Sequence, residues 1–170
     1  SINFLGNFLD NSVVIIAFSL WNCEKDDICA ETTPTTPRVV IEFYDFANPT
    51  VLKNVTSLGV VAPGFTQGFG FSGVSKAILP LKTTDDSTIL QFIQNGSDED
   101  ATNDNLDEII FNYSRQVIYV SRACGYKTNF TLDATIGAVL TTDSNNWIQN
   151  ITIEQPIIAN ENEIHIKIYF

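Results

Sequence analysis

From Arg38 to the C-terminus the chain is a succession of short runs rich in β-branched and aromatic residues, broken by polar turn formers. No window carries a capped apolar stripe at helical spacing. The last run is the clearest. Ile164, Ile166 and Ile168 alternate with His165, Lys167 and Tyr169, which predicts a strand over 163–170 with the isoleucines buried and the other three in water. Further strands are expected near 38–45, 55–61, 74–82, 87–94, 108–113, 116–122, 126–132, 135–141 and 147–154. Asn112-Tyr-Ser-Arg115 reads as a tight hairpin and Asp143-Ser-Asn-Asn146 as a longer turn, with at most a helical turn or two around 100–107. Because Ile, Val, Phe, Tyr, Trp and Thr outnumber the strong helix formers, a helical bundle is disfavoured. The expected fold is all-β: an antiparallel two-sheet sandwich of immunoglobulin-like or transthyretin-like character, a small barrel being the alternative. At 170 residues there is room for one such domain and a short appendage.

Charge narrows the function classes. A net charge of −11 with no basic cluster repels phosphate backbones, so no nucleic-acid partner is expected. With 44% hydrophobic and 17% charged residues the chain can bury a core. It has one histidine and no recognisable metal-ligand or catalytic spacing, so neither a cofactor nor a metal is expected.

The appendage lies at the N-terminus. The sequence contains no methionine, so further residues are expected upstream. The run from Val13 to Trp21 is apolar but too short for a membrane-spanning helix, which needs about 20 such residues. It suits the apolar part of an export signal, and Asn22-Cys23 follows. An apolar stretch ending at a cysteine is the layout of a bacterial lipoprotein signal, with Leu20 at the branched aliphatic position; Trp21 and Asn22 depart from the usual small residues. The competing reading is a buried first strand or helix. The expected organisation is therefore an incomplete signal peptide over 1–22, acylated Cys23 and a tether over 23–37, and a β-domain over 38–170. The tether ends in Thr32-Thr-Pro-Thr-Thr-Pro37, an extended Pro/Thr linker. Lys25, Asp26 and Asp27 resemble the export tag of Bacteroidota lipoproteins sent to the outer face of the outer membrane; an ordinary solvated tether would look the same.

Cys23, Cys29 and Cys124 make an odd count. With Cys23 acylated, Cys29 and Cys124 are left to pair in an oxidising compartment. A zinc site would need more ligands than one Cys-x5-Cys pair, and a catalytic thiol at Cys124 has no nearby histidine.

The remaining motifs each have a bland reading. Gly68-Phe-Gly70-Phe-Ser-Gly73 fits the dinucleotide pattern, but a strand rather than a helix is expected after it, which leaves a flexible loop. Phe65, Phe69 and Phe71 make that loop apolar; they are expected to cap the core, with a contact patch as the alternative. Asp98 to Glu108 holds six carboxylates, which could offer oxygens to calcium but read as a solvated acidic turn without the required glycine. His165 lacks a serine elbow to complete a hydrolase triad. Five N-x-[ST] sequons are chance products of an Asn- and Thr-rich chain, and Asp86-Ser87-Thr88 resembles a short O-glycan acceptor.

Cys23-Glu-Lys-Asp-Asp-Ile-Cys29, Thr35-Thr-Pro-Arg-Val-Val-Ile-Glu-Phe-Tyr-Asp45, Asn112-Tyr-Ser-Arg115, Tyr119-Val-Ser-Arg-Ala-Cys-Gly-Tyr126 and Thr141-Thr-Asp-Ser-Asn-Asn-Trp147 together resemble a family of flavobacterial lipoproteins known only as a domain of unknown function. The resemblance implies an envelope lipoprotein with Cys29 paired to Cys124, and it brings no activity. The expected role is that of an outer-membrane lipoprotein acting as a non-catalytic binding or structural module, held to the membrane by its lipid, with an envelope protein or glycan as partner. The rival is an envelope hydrolase whose site is assembled from residues distant in sequence.

Overall fold

In the computed structural model, residues 28–170 are described, and Cys23, Lys25, Asp26 and Asp27 lie outside them. The chain divides into two compact units. Pro34–Tyr119 and Tyr126–Phe170 form one; of the described residues, Val120–Gly125 and those from Ile28 to Thr33 belong to the other.

The larger unit is a β-sandwich. Its strands in order are β1 (Val39–Tyr44), β2 (Val55–Val61), β3 (Phe69–Val74), β4 (Lys76–Leu79), β5 (Ser87–Gln94), β6 (Asn105–Ser121), β7 (Gly125–Leu132), β8 (Ala138–Leu140), β9 (Asn150–Ile153), β10 (Ile157–Ile158) and β11 (Ile166–Tyr169). One sheet runs β4-β1-β11-β9; the other runs β10-β7-β6-β5-β2-β3, with β8 also pairing β6. One pair departs from the expected antiparallel pattern: β1 lies parallel to β11, with Ile41 opposite Ile166 and Phe43 opposite Ile168. Such a pair needs a long crossover, and here nearly the whole domain lies between the two strands.

Alternation places the core. Ile41 and Phe43 of β1, Leu58 and Val60 of β2, Leu90 and Phe92 of β5, Ile109 and Phe111 of β6, Phe130 and Leu132 of β7, and Ile166 and Ile168 of β11 belong to one buried cluster. The turn before β9 closes it. The Asp143 N–H donates to Asn146 Oδ1 at 2.8 Å, and the Trp147 indole N–H donates to the Phe92 carbonyl at 3.1 Å.

The structure corrects several expectations. No hairpin forms at Asn112 to Arg115; β6 runs unbroken from Asn105 to Ser121. Three of the four residues read as turn formers have found partners that keep the backbone extended. The Asn112 amide donates to the Ile136 carbonyl at 2.7 Å, the Tyr113 hydroxyl donates to the Lys82 carbonyl at 2.8 Å, and Arg115 Nε meets Asp86 at 2.7 Å. Context has overridden turn propensity. The glycine-rich segment is not a loop but edge strand β3, paired with β2. The strand expected over 74–82 is shorter, because its first residue, Val74, is the last of β3, just past Gly73 at a φ of 61°, and the chain then crosses to the other sheet to start β4 at Lys76. The two-residue β10 was not anticipated. Among the described residues one 3-10 turn forms, Ala101–Asn103, capped by Asp100, which accepts the Thr102 N–H at 3.0 Å.

Candidate functional site

Cys29 and Cys124 form a disulfide with Cα atoms 5.0 Å apart, joining positions 95 apart in sequence. The distance lies within the range such bonds require. Both cysteines belong to the small unit, where the Cys124 N–H also donates to Ser121 Oγ at 3.0 Å.

His165 is not on a wet face. It is fully buried, and its Nδ1 accepts the Val40 N–H at 2.9 Å while its own backbone N–H donates to the Val40 carbonyl at 3.0 Å. The imidazole thus completes the ladder between β1 and the chain entering β11. Accepting at Nδ1 places the ring proton on Nε2, and Nε2 is buried without a partner among the described residues. Burial lowers the pKa of the ring, with Glu163 and Glu161 opposing that shift. A general base needs a lone pair facing substrate. This one is spent on a backbone amide.

The acidic stretch divides. Asp98, Glu99, Asp100 and Asp104 are exposed, whereas Asp107 is fully buried on β6, where Oδ2 accepts the Ile148 N–H at 2.8 Å. Desolvation raises its pKa, against hydrogen bonds from Ile148 and Asn146. Reading all six carboxylates as a solvated turn was therefore wrong for Asp107, whose work is to hold the segment carrying Trp147 over the core. Among the described residues no group of three or more His, Cys, Asp or Glu could hold a metal ion. Thr88 is also unlike its motif reading, since its hydroxyl is buried and 2.6 Å from that of Tyr113.

Of the three phenylalanines only Phe71 packs against the core. Phe65 is 70% exposed and Phe69 47%. The expectation that they cap the core fails for these two because Phe69 lies on β3, the outermost strand of its sheet, and Phe65 in the connection leading into it. They rim an open apolar groove of about 340 Å³, with Val60, Leu81 and Leu90 among its lining. Gly68 belongs to this edge for a steric reason: a Cβ there would collide with the Val60 carbonyl.

A second exposed aromatic site, unnoticed in the sequence, lies on β6 and β7. The alternation that buries Ile109, Phe111 and Tyr113 carries Val117 and Tyr119 onto the same strand face, yet these are 63% and 59% exposed. Tyr126 of β7 is 69% exposed, and its ring meets that of Tyr119 edge-on at 5.4 Å between centroids. The available signal was the alternation itself, continuing past Tyr113 for longer than the core needed.

Residues 66–170 match the family described as a family of unknown function (DUF6452). No curated protein and no solved structure matches the chain. The matched segment begins after β1 and β2, both of which the sandwich needs: β1 lies between β4 and β11, and β2 between β5 and β3.

Proposed function

The chain belongs to this family of unknown function, and for this member we propose the role of a lipid-anchored outer-membrane lipoprotein whose β-sandwich binds or scaffolds rather than catalyses. The observation that carries the reading is the Cys29–Cys124 disulfide. A bond of this kind persists in oxidising compartments, and it uses two of three cysteines, leaving Cys23, one residue past the apolar run, as the acylation site. Lys25, Asp26 and Asp27 would then be the tag that directs the protein to the outer face, as in the flavobacterial lipoproteins it resembles. The open groove beside Phe65 and Phe69 suits an envelope protein or glycan partner. Against the rival hydrolase stands the engagement of His165 Nδ1 by the Val40 amide.

Fractionation of cells tests the anchor. The full-length protein should require detergent for extraction from the outer membrane, and Cys23→Ala should appear in the soluble fraction or remain unprocessed. Unchanged membrane association of Cys23→Ala would overturn the reading. Protease shaving of intact cells, before and after replacing Lys25, Asp26 and Asp27, tests the orientation.

A further inference from the structure

We propose that the exposed face of Val117, Tyr119 and Tyr126 is a membrane-docking surface that rests on the lipid headgroups and orients the domain on the bilayer. The inference builds on the lipid-anchor reading and adds the surface that meets the lipid.

Three observations converge. The first is the face itself. Val117, Tyr119 and Tyr126 lie on the side of β6 and β7 that is core elsewhere, and among the described residues nothing covers them. The rings of Tyr119 and Tyr126 touch each other and expose most of their surface to water. An apolar ring ending in a hydroxyl suits the membrane interface, where one end can be dry and the other wet.

Covalent reach is the second. Six residues lead from Cys23 to Cys29, the disulfide joins Cys29 to Cys124, and Tyr126 follows two residues later. At roughly 3.3–3.6 Å per extended residue, Cys29 cannot stand more than about 20 Å from an acyl group on Cys23. Anchoring through the chain leading to Thr32 and the Pro/Thr segment would leave the domain free to drift. The disulfide instead ties the end of β6 to the anchor.

Third comes charge. Between Ile109 and Leu132 there is no acidic residue, while Arg115, Arg122 and Lys127 fall within it, in a chain whose net charge is −11. Arg115 is engaged by Asp86; Lys127, next to Tyr126, has no ion pair among the described residues. An acidic protein that must lie against phosphate headgroups would do so through an acid-free stretch, and of the two long ones, 46–84 and 109–132, the second is the one that the disulfide ties to Cys29 and so to Cys23.

Hydroxyl-radical footprinting of the full-length protein, combined with intact-mass measurement, tests the docking. The acylated protein is incorporated into vesicles of phosphatidylethanolamine and phosphatidylglycerol and compared with Cys23→Ala in buffer. Tyr119 and Tyr126 should be oxidised about fivefold more slowly on the vesicles. Tyr44 and Tyr169, paired across β1 and β11 in the other sheet, should be unchanged. Acylated protein with Tyr119 and Tyr126 as reactive as in buffer would overturn the docking while leaving the anchor standing. An intact mass without acyl chains would overturn the anchor, and the docking with it. If the two tyrosines are already protected in Cys23→Ala, the occupant is the N-terminal part of this chain when protection is independent of dilution, or a second copy when dilution abolishes it; either result overturns the proposal.

Discussion

The two halves of β6 share a strand and an alternation but not an environment. In the near half, Asp107, Ile109, Phe111 and Tyr113 point between the sheets and are buried; in the far half, Arg115, Val117 and Tyr119 occupy the same face and are exposed. Both halves are extended, and both place apolar side chains at every second position. The near half is paired by β5 on one edge and β8 on the other, and it contributes to the common core cluster. The far half makes no such contribution. Extended backbone is thus formed by local preference and ladder bonds, whereas burial depends on the opposing layer.

The largest effect should come from the near half. Phe111→Ala removes a fully buried ring from the centre of the core and should cost about 3–5 kcal/mol in urea-induced unfolding. A loss below about 1 kcal/mol would mean that the near half is not part of a closely packed layer.

Breaking the Cys29–Cys124 bond probes the end of the far half. Closing a loop of 95 residues is worth about 4–5 kcal/mol by chain entropy, and observed values are typically about 2–4 kcal/mol. Cys29→Ser/Cys124→Ser should therefore lower Tm by roughly 8–15 °C in calorimetry while leaving far-ultraviolet circular dichroism at low temperature nearly unchanged. Loss of the strand signal itself would show that the sandwich depends on this bond to form.

The smallest effect belongs to the face without an opposing layer. Val117→Ser, at the same strand parity as Phe111, should change stability by less than about 0.5 kcal/mol in the same urea experiment. A cost comparable with that of Phe111→Ala would erase the distinction between the halves.

Much of the β-domain was legible in the sequence for a physical reason: alternation and the bulk of β-branched residues act over a few neighbours. The runs over 55–61 and 87–94 coincide with β2 and β5, and the Asp143 to Asn146 turn forms through its own side chains. The disulfide partners were legible by cysteine arithmetic on the expectation of an exported chain with Cys23 acylated, which leaves two thiols to pair, and the structure joins those two. What alternation cannot encode is the partner of each face. His165 falls at the polar phase of its strand pattern yet is buried, because the Val40 amide takes its Nδ1. Asp107, within an acidic run, is drawn inside by the Ile148 amide. Phe65, Phe69, Val117 and Tyr119, apolar by composition, remain in water because β3 is an edge and the far half of β6 has no opposing sheet among the described residues. Local sequence determined which segments are strands and which side chains share a face. Only the tertiary structure decided which face was covered, since burial is set by a second layer brought from elsewhere in the chain, as the parallel union of β1 with β11 illustrates.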